Sequence, residues 1–148
     1  MNARLLVCAL LATATACRQE NDVQPSPSSL AEEVAGTYRT NVYLDPSRVA
    51  TPTDQMPYAE LKRESDNTVT LVYTQIYPNK LVKQIPNVSL NRQPEAIYLS
   101  VGGSNAGTLA TERIFVNNGM EKQGKLLRLT LPGDSSGAAV PPFAGSKQ

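Results

Sequence analysis

A serine flanked by glycines is the first candidate for chemistry in this chain of 148 residues. Ser135 lies in segment 133–137, Gly-Asp-Ser-Ser-Gly, which has the form of a reactive serine in a tight turn. Such a serine needs a neighbouring base, usually histidine, to take its proton. The chain contains no histidine, so a Ser-His-Asp triad, a Cys-His dyad and a histidine-ligated zinc site are excluded. We therefore interpret this segment as a linker.

Two other groups of residues could take part in chemistry. The glycine-rich segment 102–107 is not followed by the Lys-Ser/Thr pair of a phosphate-binding loop, and a hairpin turn is the preferred interpretation. The chain has 13 acidic residues, but no motif pairs two of them for acid–base catalysis. Glu60, Lys62 and Glu64 lie on one face of the second predicted strand and are interpreted as a ladder of charges on a solvated face rather than as a site. We predict that the protein is not an enzyme and holds no metal and no cofactor.

Cys17 has the clearest chemical assignment of any residue. It follows a positive charge at Arg4, a short apolar run and three small residues that begin at Ala14, an order typical of a secretory signal. The apolar run is shorter than the roughly 18 residues that a membrane-spanning helix needs. A cysteine at this junction resembles the bacterial lipobox, although that motif usually has leucine where Ala14 stands. The resemblance implies a signal peptide over 1–16, a lipid on Cys17 and an anchored protein of the bacterial envelope, in the outer membrane. Plain secretion is the alternative.

The charge balance indicates that nucleic acid is not a partner. The precursor has 14 Lys and Arg against 13 Asp and Glu, and loss of Arg4 with the signal makes the two equal. No basic stripe is present, so the electrostatic footprint of polyanion binding is missing. Cys8 would also leave with the signal, so the mature chain would have one cysteine and no internal disulfide. The membrane, reached through the lipid, is the one partner that the residues identify.

The elements that position these residues are predicted to be β-strands. Apolar and polar residues alternate in segments 35–44, 58–64, 68–77, 81–90, 96–101, 107–116 and 125–131. Short turns join neighbouring segments, which favours an all-β antiparallel up-and-down meander of seven to eight strands that closes into a barrel. A two-sheet β-sandwich is the alternative. An eighth strand would lie in 49–56 or around Pro86, where a bulge or an edge is expected.

Regions outside this pattern set the predicted domain boundaries. Residues 17–29 are polar and contain two prolines, which is typical of a flexible tether. Residues 30–34 are predicted to form a short helical turn, and the barrel domain is predicted over 30–131. The last segment, 132–148, is rich in proline, glycine and serine and is predicted to be a disordered tail.

The start of the first strand resembles one family of β-barrels. Gly36-Thr37-Tyr38, after a short Leu-Ala-Glu-Glu-Val turn, stands where lipocalin-like (calycin) proteins carry Gly-x-Trp. In that family the aromatic ring closes the floor of the barrel and an arginine from a late strand covers it. The resemblance implies that Gly36 and Tyr38 form the floor and that Arg128 covers it, with Arg113 as the second candidate. A cation over the ring would contribute about 0.5–2 kcal/mol.

The same resemblance implies a small apolar or amphipathic ligand in the mouth of the barrel. Tyr73, Gln75 and Tyr77 share one face of the third predicted strand and are candidate ligand-binding residues. Arg113 is the fourth candidate, because a buried arginine needs a partner or a ligand. Two alternatives remain open: the tyrosines fill the core, or the opposite face of the strand, which carries Val72 and other apolar residues, points inward.

A module that binds a protein is the second functional prediction. Small periplasmic barrels also act as inhibitors of lysozymes or proteases and as adaptors of the envelope. The loop over 45–57 and the turn over 102–107 would then be the contact surfaces. A filled barrel interior favours this prediction, and an open apolar cavity favours the small ligand. The residues identify no particular protein partner.

Overall fold

Eight strands and one short helix make up the fold. A computed structural model describes residues 29–131 and 141–148, so the predicted signal peptide, Cys17 and Ser135 lie outside the described residues. Helix α1 spans Leu30–Val34, and the strands are β1 (Gly36–Arg39), β2 (Tyr58–Arg63), β3 (Thr68–Gln75), β4 (Leu81–Arg92), β5 (Ile97–Val101), β6 (Ser104–Phe115), β7 (Glu121–Leu129) and β8 (Phe143–Lys147). Within the described ranges, no helix combines the length and the apolar character needed to cross a membrane.

The strands form one closed barrel in chain order. Each strand pairs antiparallel with the next, and β8 returns to pair with β1. Closure leaves no unpaired edge among the eight described strands for another chain to add to. The predicted all-β up-and-down barrel is therefore confirmed, and the alternative of a two-sheet sandwich is wrong.

The eighth strand lies in the segment that was predicted to be a tail. β8 pairs Phe143 with Leu129 of β7 and Lys147 with Tyr38 of β1. The prediction of a disordered tail over 132–148 is therefore wrong for its last residues, and the barrel domain does not end at 131. The eighth strand is in neither of the places proposed for it. Alternation of apolar and polar residues could not reveal β8, because Phe143 is its only large apolar residue. The segment is a strand because its backbone pairs with both β7 and β1.

Two strands differ from their predicted form for local reasons. β1 ends at Arg39 rather than at 44, because the Asn41 side-chain oxygen accepts from the backbone N–H groups of Tyr43 and Leu44 and turns the chain. β4 contains the bulge predicted near Pro86, where the register with β3 shifts and Asn87 takes a positive φ of 56°. The bulge lets β4 continue past the proline as one strand.

Side chains fill the inside of the barrel. Val69, Leu71 and Tyr73 of β3 are buried, which confirms the inward face preferred from the sequence. β-branched and aromatic residues suit such a half-buried pleated surface. The buried core also contains inward residues of the other strands and of α1: Ala31, Val34, Tyr38, Ala59, Leu61, Val88, Leu90, Ile97, Leu99, Leu109, Leu127, Leu129 and Phe143.

Helix α1 covers one end of the barrel, which we call the helix end. The Ser29 side chain caps the helix by accepting from the Glu32 N–H at 3.2 Å. Ala31 N–H donates to Asp66 O in the β2–β3 turn at 3.0 Å. Ala31 and Val34 are fully buried, so α1 closes the helix end with its apolar face.

Candidate functional site

Tyr38 forms the floor at the helix end. Its ring is fully buried, and its hydroxyl donates to the Val34 backbone oxygen at 2.6 Å. Burial raises the pKa of Tyr38, with a further contribution from the negative charge of Glu33. Gly36 takes a φ of 140°, and a Cβ there would lie 2.9 Å from the Lys147 side chain. The positions expected to form the floor therefore lie together, tied to α1.

Arg128 does not cover that floor, and this prediction is wrong. Its side chain is 51% exposed and forms two hydrogen bonds to Glu112, one of them 2.8 Å long. Hydrogen bonding between the two side chains lowers the pKa of Glu112 and raises that of Arg128. Arg128 alternates with the inward residues Leu127 and Leu129 and therefore points outward. The cation paired in register with Tyr38 is Lys147 of β8, which was missed because β8 was predicted to be tail.

The four predicted ligand-binding residues do not come together. Tyr73 and Gln75 are neighbours on the inward face, where the Tyr73 hydroxyl donates to Gln75 Oε1 at 3.3 Å. The Tyr73 ring packs edge-on against Phe143, with centroids 5.7 Å apart, and burial raises its pKa. Tyr77 lies beyond the end of β3 and is half exposed. Arg113 is exposed and pairs with Glu121 at 2.6 Å, so it needs no ligand.

A cleft of about 320 Å³ opens at the helix end. Ile97 and Leu109 form its apolar part, and Glu33, Arg92 and Lys125 lie among its polar residues. The Glu33 carboxylate pairs with Arg92 and, at 2.8 Å, with Lys125. Burial alone would raise the pKa of Glu33, but the two cations together lower it. These ion pairs hold α1 against the barrel and leave the charges of the cleft largely satisfied.

A second cleft, of about 550 Å³, lies on the outer side of the barrel. It is lined by residues of β1, β8, the loop after β1 and the β6–β7 turn: Arg39, Thr40, Asn41, Thr53, Asp54, Met56, Val116, Asn117, Lys122, Ser146, Lys147 and Gln148. We call it the cationic cleft, because its side chains include three cations and one carboxylate. A third cleft, of about 300 Å³, lies beside Leu44, Arg128 and Phe143.

Exposed apolar side chains gather beside the cationic cleft. The rings of Tyr43 and Phe115 lie 5.9 Å apart, and Met120, at the end of the β6–β7 turn, is 63% exposed. Asn41 fixes this arrangement by donating from Nδ2 to the Phe115 backbone oxygen at 2.8 Å. We call Tyr43, Phe115 and Met120 the apolar tip. Phe115 is the last residue of β6, and its side chain is exposed because this end of the strand extends beyond the core.

Of the two predicted contact surfaces, the loop over 45–57 has the stronger apolar character. It carries Val49, whose side chain is largely exposed. The turn that begins at Gly102 has open space around both of its first two glycines and presents no large apolar side chain. The described residues bring no three Cys, Asp or Glu side chains together in a way that could hold a metal ion. No family model, curated protein or solved structure is significantly similar to this chain.

Proposed function

We propose that this protein is a lipid-anchored, non-catalytic lipoprotein of the bacterial envelope that binds a partner protein through the outer surface of its barrel. The filled interior carries this proposal. Tyr38 fills the barrel at the helix end, Tyr73 is buried further along the core, and Phe143 packs on Tyr73. Close-packed interiors resist insertion of further groups. The outer surface, in contrast, brings three exposed apolar side chains together at the apolar tip.

The apolar tip is the proposed contact surface. Aromatic residues and methionine are enriched at the centre of protein interfaces. Methionine also adapts its shape to a partner. Tyr43, Phe115 and Met120 have this composition, and each is close to half exposed or more. The Val116 N–H donates a hydrogen bond to the Met120 backbone oxygen at 2.9 Å and stabilises the turn that carries the tip. We therefore place the binding energy on these side chains rather than on the β5–β6 turn at Gly102 and Gly103.

Site-specific photo-crosslinking in the producing cells tests this surface. A photoreactive residue in place of Met120 is expected to give one discrete protein adduct, and the same residue in place of Val82, an exposed strand position elsewhere, is expected to give none. Met120→Ser should then weaken binding of the purified adduct partner about tenfold, the loss typical of a moderate hot spot, while Val82→Ser should not. Equal adducts at both positions, or none at Met120, would contradict the proposal.

The lipid anchor is tested at Cys17. In Cys17→Ala we expect the protein to leave the membrane fraction and to take up no labelled fatty acid, because the acceptor thiol is gone. Cys8→Ala is the matched control, since Cys8 lies inside the apolar run of the proposed signal. It should keep both membrane association and label. Membrane association that persists without Cys17 would contradict the anchor, and an unlabelled, soluble wild-type protein would point to plain secretion.

We also assign the chain to the lipocalin-like barrels as part of the proposal. The support is the eight-strand closed meander, the positive φ of Gly36 and the buried Tyr38 after a short helix. A small ligand inside the barrel would need Tyr73 and Phe143 to move apart. Native mass spectrometry of the protein purified from its own cells should show no small apolar compound bound. A stoichiometric compound would return the function to carriage of a ligand.

A further inference from the structure

A second group of exposed apolar side chains lies at the turn between β3 and β4. Its members are the large apolar residues that are exposed in the described ranges and do not belong to the apolar tip: Val49, Ile76, Tyr77 and Val82. Ile76 and Tyr77 directly follow β3, and Val82 of β4 pairs with Thr74 near the end of that strand. We call these four residues the hairpin patch.

Val49 belongs to the patch because its loop is fixed against the β3–β4 turn. The Arg48 guanidinium donates to the Tyr77 backbone oxygen at 3.5 Å, and Val49 is the next residue in the chain. The same guanidinium pairs with the Asp45 carboxylate at 3.3 Å, which also accepts from the Ser47 N–H and hydroxyl. The loop is therefore held in place by its own contacts, and the charge of its carboxylate is balanced beside the patch.

The chain around the patch carries positive charge and no acidic residue. Between Asp66 and Glu95 the sequence contains no Asp or Glu. Lys80, in the β3–β4 turn, is exposed and forms no ion pair with a described residue. On the neighbouring strand β2, Glu60 is paired with Lys62 at 3.5 Å. The β3–β4 hairpin therefore presents exposed apolar side chains together with one unpaired ammonium.

This combination of side chains suits the surface of a membrane. Tyrosine is typical of the boundary between headgroups and acyl chains, where aliphatic side chains contact the lipid and lysine stays with the headgroups. Basic residues are attracted to anionic lipids. Four side chains alone would hold a soluble protein there only weakly. A lipid anchor changes this, because contact then becomes intramolecular and the effective concentration is high.

The proposed anchor is long enough to allow this contact. Strand β3 has eight residues and is about 26 Å long, with the patch at one end and, at the other, the β2–β3 turn that Ala31 of α1 contacts. Residues 18–28, between the proposed lipid and Ser29, span at most about 40 Å when fully extended. Because the lipid diffuses in the membrane plane, only the height of Ser29 above that plane has to be spanned.

We propose that the hairpin patch rests on the surface of the membrane that holds the lipid anchor, with its apolar side chains against the lipids and Lys80 among anionic headgroups. The inference rests on the lipid at Cys17 that is proposed above, and it adds which side of the barrel faces the membrane. The patch shares no residue with the apolar tip, so membrane contact does not occupy the tip. Val82 meets lipid rather than protein in this arrangement, which agrees with the absence of a protein adduct expected there.

A single introduced tryptophan reports contact with the membrane, because the chain has none of its own. Val49 is the most exposed residue of the patch, at 77%, so Val49→Trp carries the reporter. The lipidated protein is reconstituted in vesicles of phosphatidylethanolamine and phosphatidylglycerol with brominated acyl chains, which quench nearby tryptophan. We expect strong quenching and a blue shift of the emission.

Gln123→Trp is the matched control for the reporter. Gln123 is exposed on β7, which lies four strands from β3 in the closed barrel, so its tryptophan should be quenched little. A tryptophan that enters the membrane through its own affinity would be quenched at both positions. Equal quenching at the two positions, or none in Val49→Trp, would overturn the proposal.

Two pairs of variants in the Val49→Trp protein test the charge and the apolar contact. Lys80→Gln should lower the ratio of docked to undocked protein about fivefold, the effect of one basic residue near an anionic surface, whereas Lys122→Gln, at an exposed lysine of β7, should not. Tyr77→Ser should also lower this ratio, whereas Met120→Ser in the apolar tip should not. Equal effects within either pair would show that docking does not use the hairpin patch.

Failure of the anchor gives a different result from failure of docking. Protein without a lipid on Cys17 would not float with the vesicles in any variant, whereas failed docking leaves the protein on the vesicles with an unquenched Val49→Trp. If Cys17 keeps its thiol, coupling of that thiol to a maleimide phospholipid supplies the anchor, and the same quenching measurement then decides the docking.

Discussion

Replacement of Tyr38 by alanine is expected to lower the free energy of unfolding by about 3–5 kcal/mol, the range found when a buried aromatic side chain is removed. The ring is fully buried, and the residues around it belong to several elements, including Val34 of α1 and Ala59 of β2. These elements cannot close around a missing ring without breaking strand pairs. Most of the lost volume would therefore remain as a cavity. Equilibrium unfolding in urea, followed by circular dichroism, measures the change.

Tyr38→Phe separates the hydroxyl from the ring. This variant keeps the packing but removes the 2.6 Å bond to Val34 O, so we expect a loss of about 1–2 kcal/mol. Tyr98→Ala is the matched control, because Tyr98 is only partly buried and is not in the core. Its cost should be clearly smaller than that of Tyr38→Ala. A near-neutral effect of Tyr38→Ala on the free energy of unfolding would show that Tyr38 does not form a floor of the barrel. It would also contradict the proposed lipocalin-like assignment.

The class of fold could be predicted because alternation is strong where strands border the core. In β3, Val69, Leu71 and Tyr73 stand at every second position, and β-branched residues lie between them. A period of two specifies both the strand and its inward face. Pro86 has no backbone N–H to donate to a neighbouring strand. A bulge or a sheet edge is therefore predicted near it. Local chemistry of this kind can be recognised without the rest of the chain.

The role of Arg128 could have been corrected from the sequence alone. The alternation that places Leu127 and Leu129 inward places Arg128 outward. The family resemblance pointed to an arginine on a late strand, and it overrode this local pattern. The actual neighbour of Tyr38 across the sheet is Lys147, in a strand that no local signal marks. Strand alternation was the better guide in this case.

The cationic cleft could not be predicted, because distant parts of the chain form it. Arg39 of β1 and Lys147 of β8 become neighbours in the sheet through the pairing that closes the barrel, and Lys122 belongs to the β6–β7 hairpin, which Asn41 contacts at Phe115. Each cation looks ordinary in the sequence, where the net charge is close to zero. Only the folded chain shows that these three residues line one cleft.

Deletion of residues 141–148 is expected to abolish the folded barrel. The deletion removes β8, which pairs with both β1 and β7, and it takes Phe143 out of the core. Both neighbouring strands would become open edges, and the paired backbone groups of β1 and β7 would be exposed. Small domains are stable by only about 5–15 kcal/mol. Loss of a buried aromatic alone costs about 3–5 kcal/mol of this, so loss of the whole strand should exceed the rest.

Three variants distinguish the contribution of β8 to stability from the effect of shortening the chain. Removal of Gln148 alone keeps β8 and should leave a cooperative unfolding transition close to that of the full chain. Phe143→Ala keeps the strand backbone but not the ring, and it should unfold cooperatively at lower urea. The deletion of 141–148 should show no cooperative transition and should aggregate through its new edges. If it unfolded like the full chain, β8 would contribute nothing to stability, and 143–147 would belong to a tail after all.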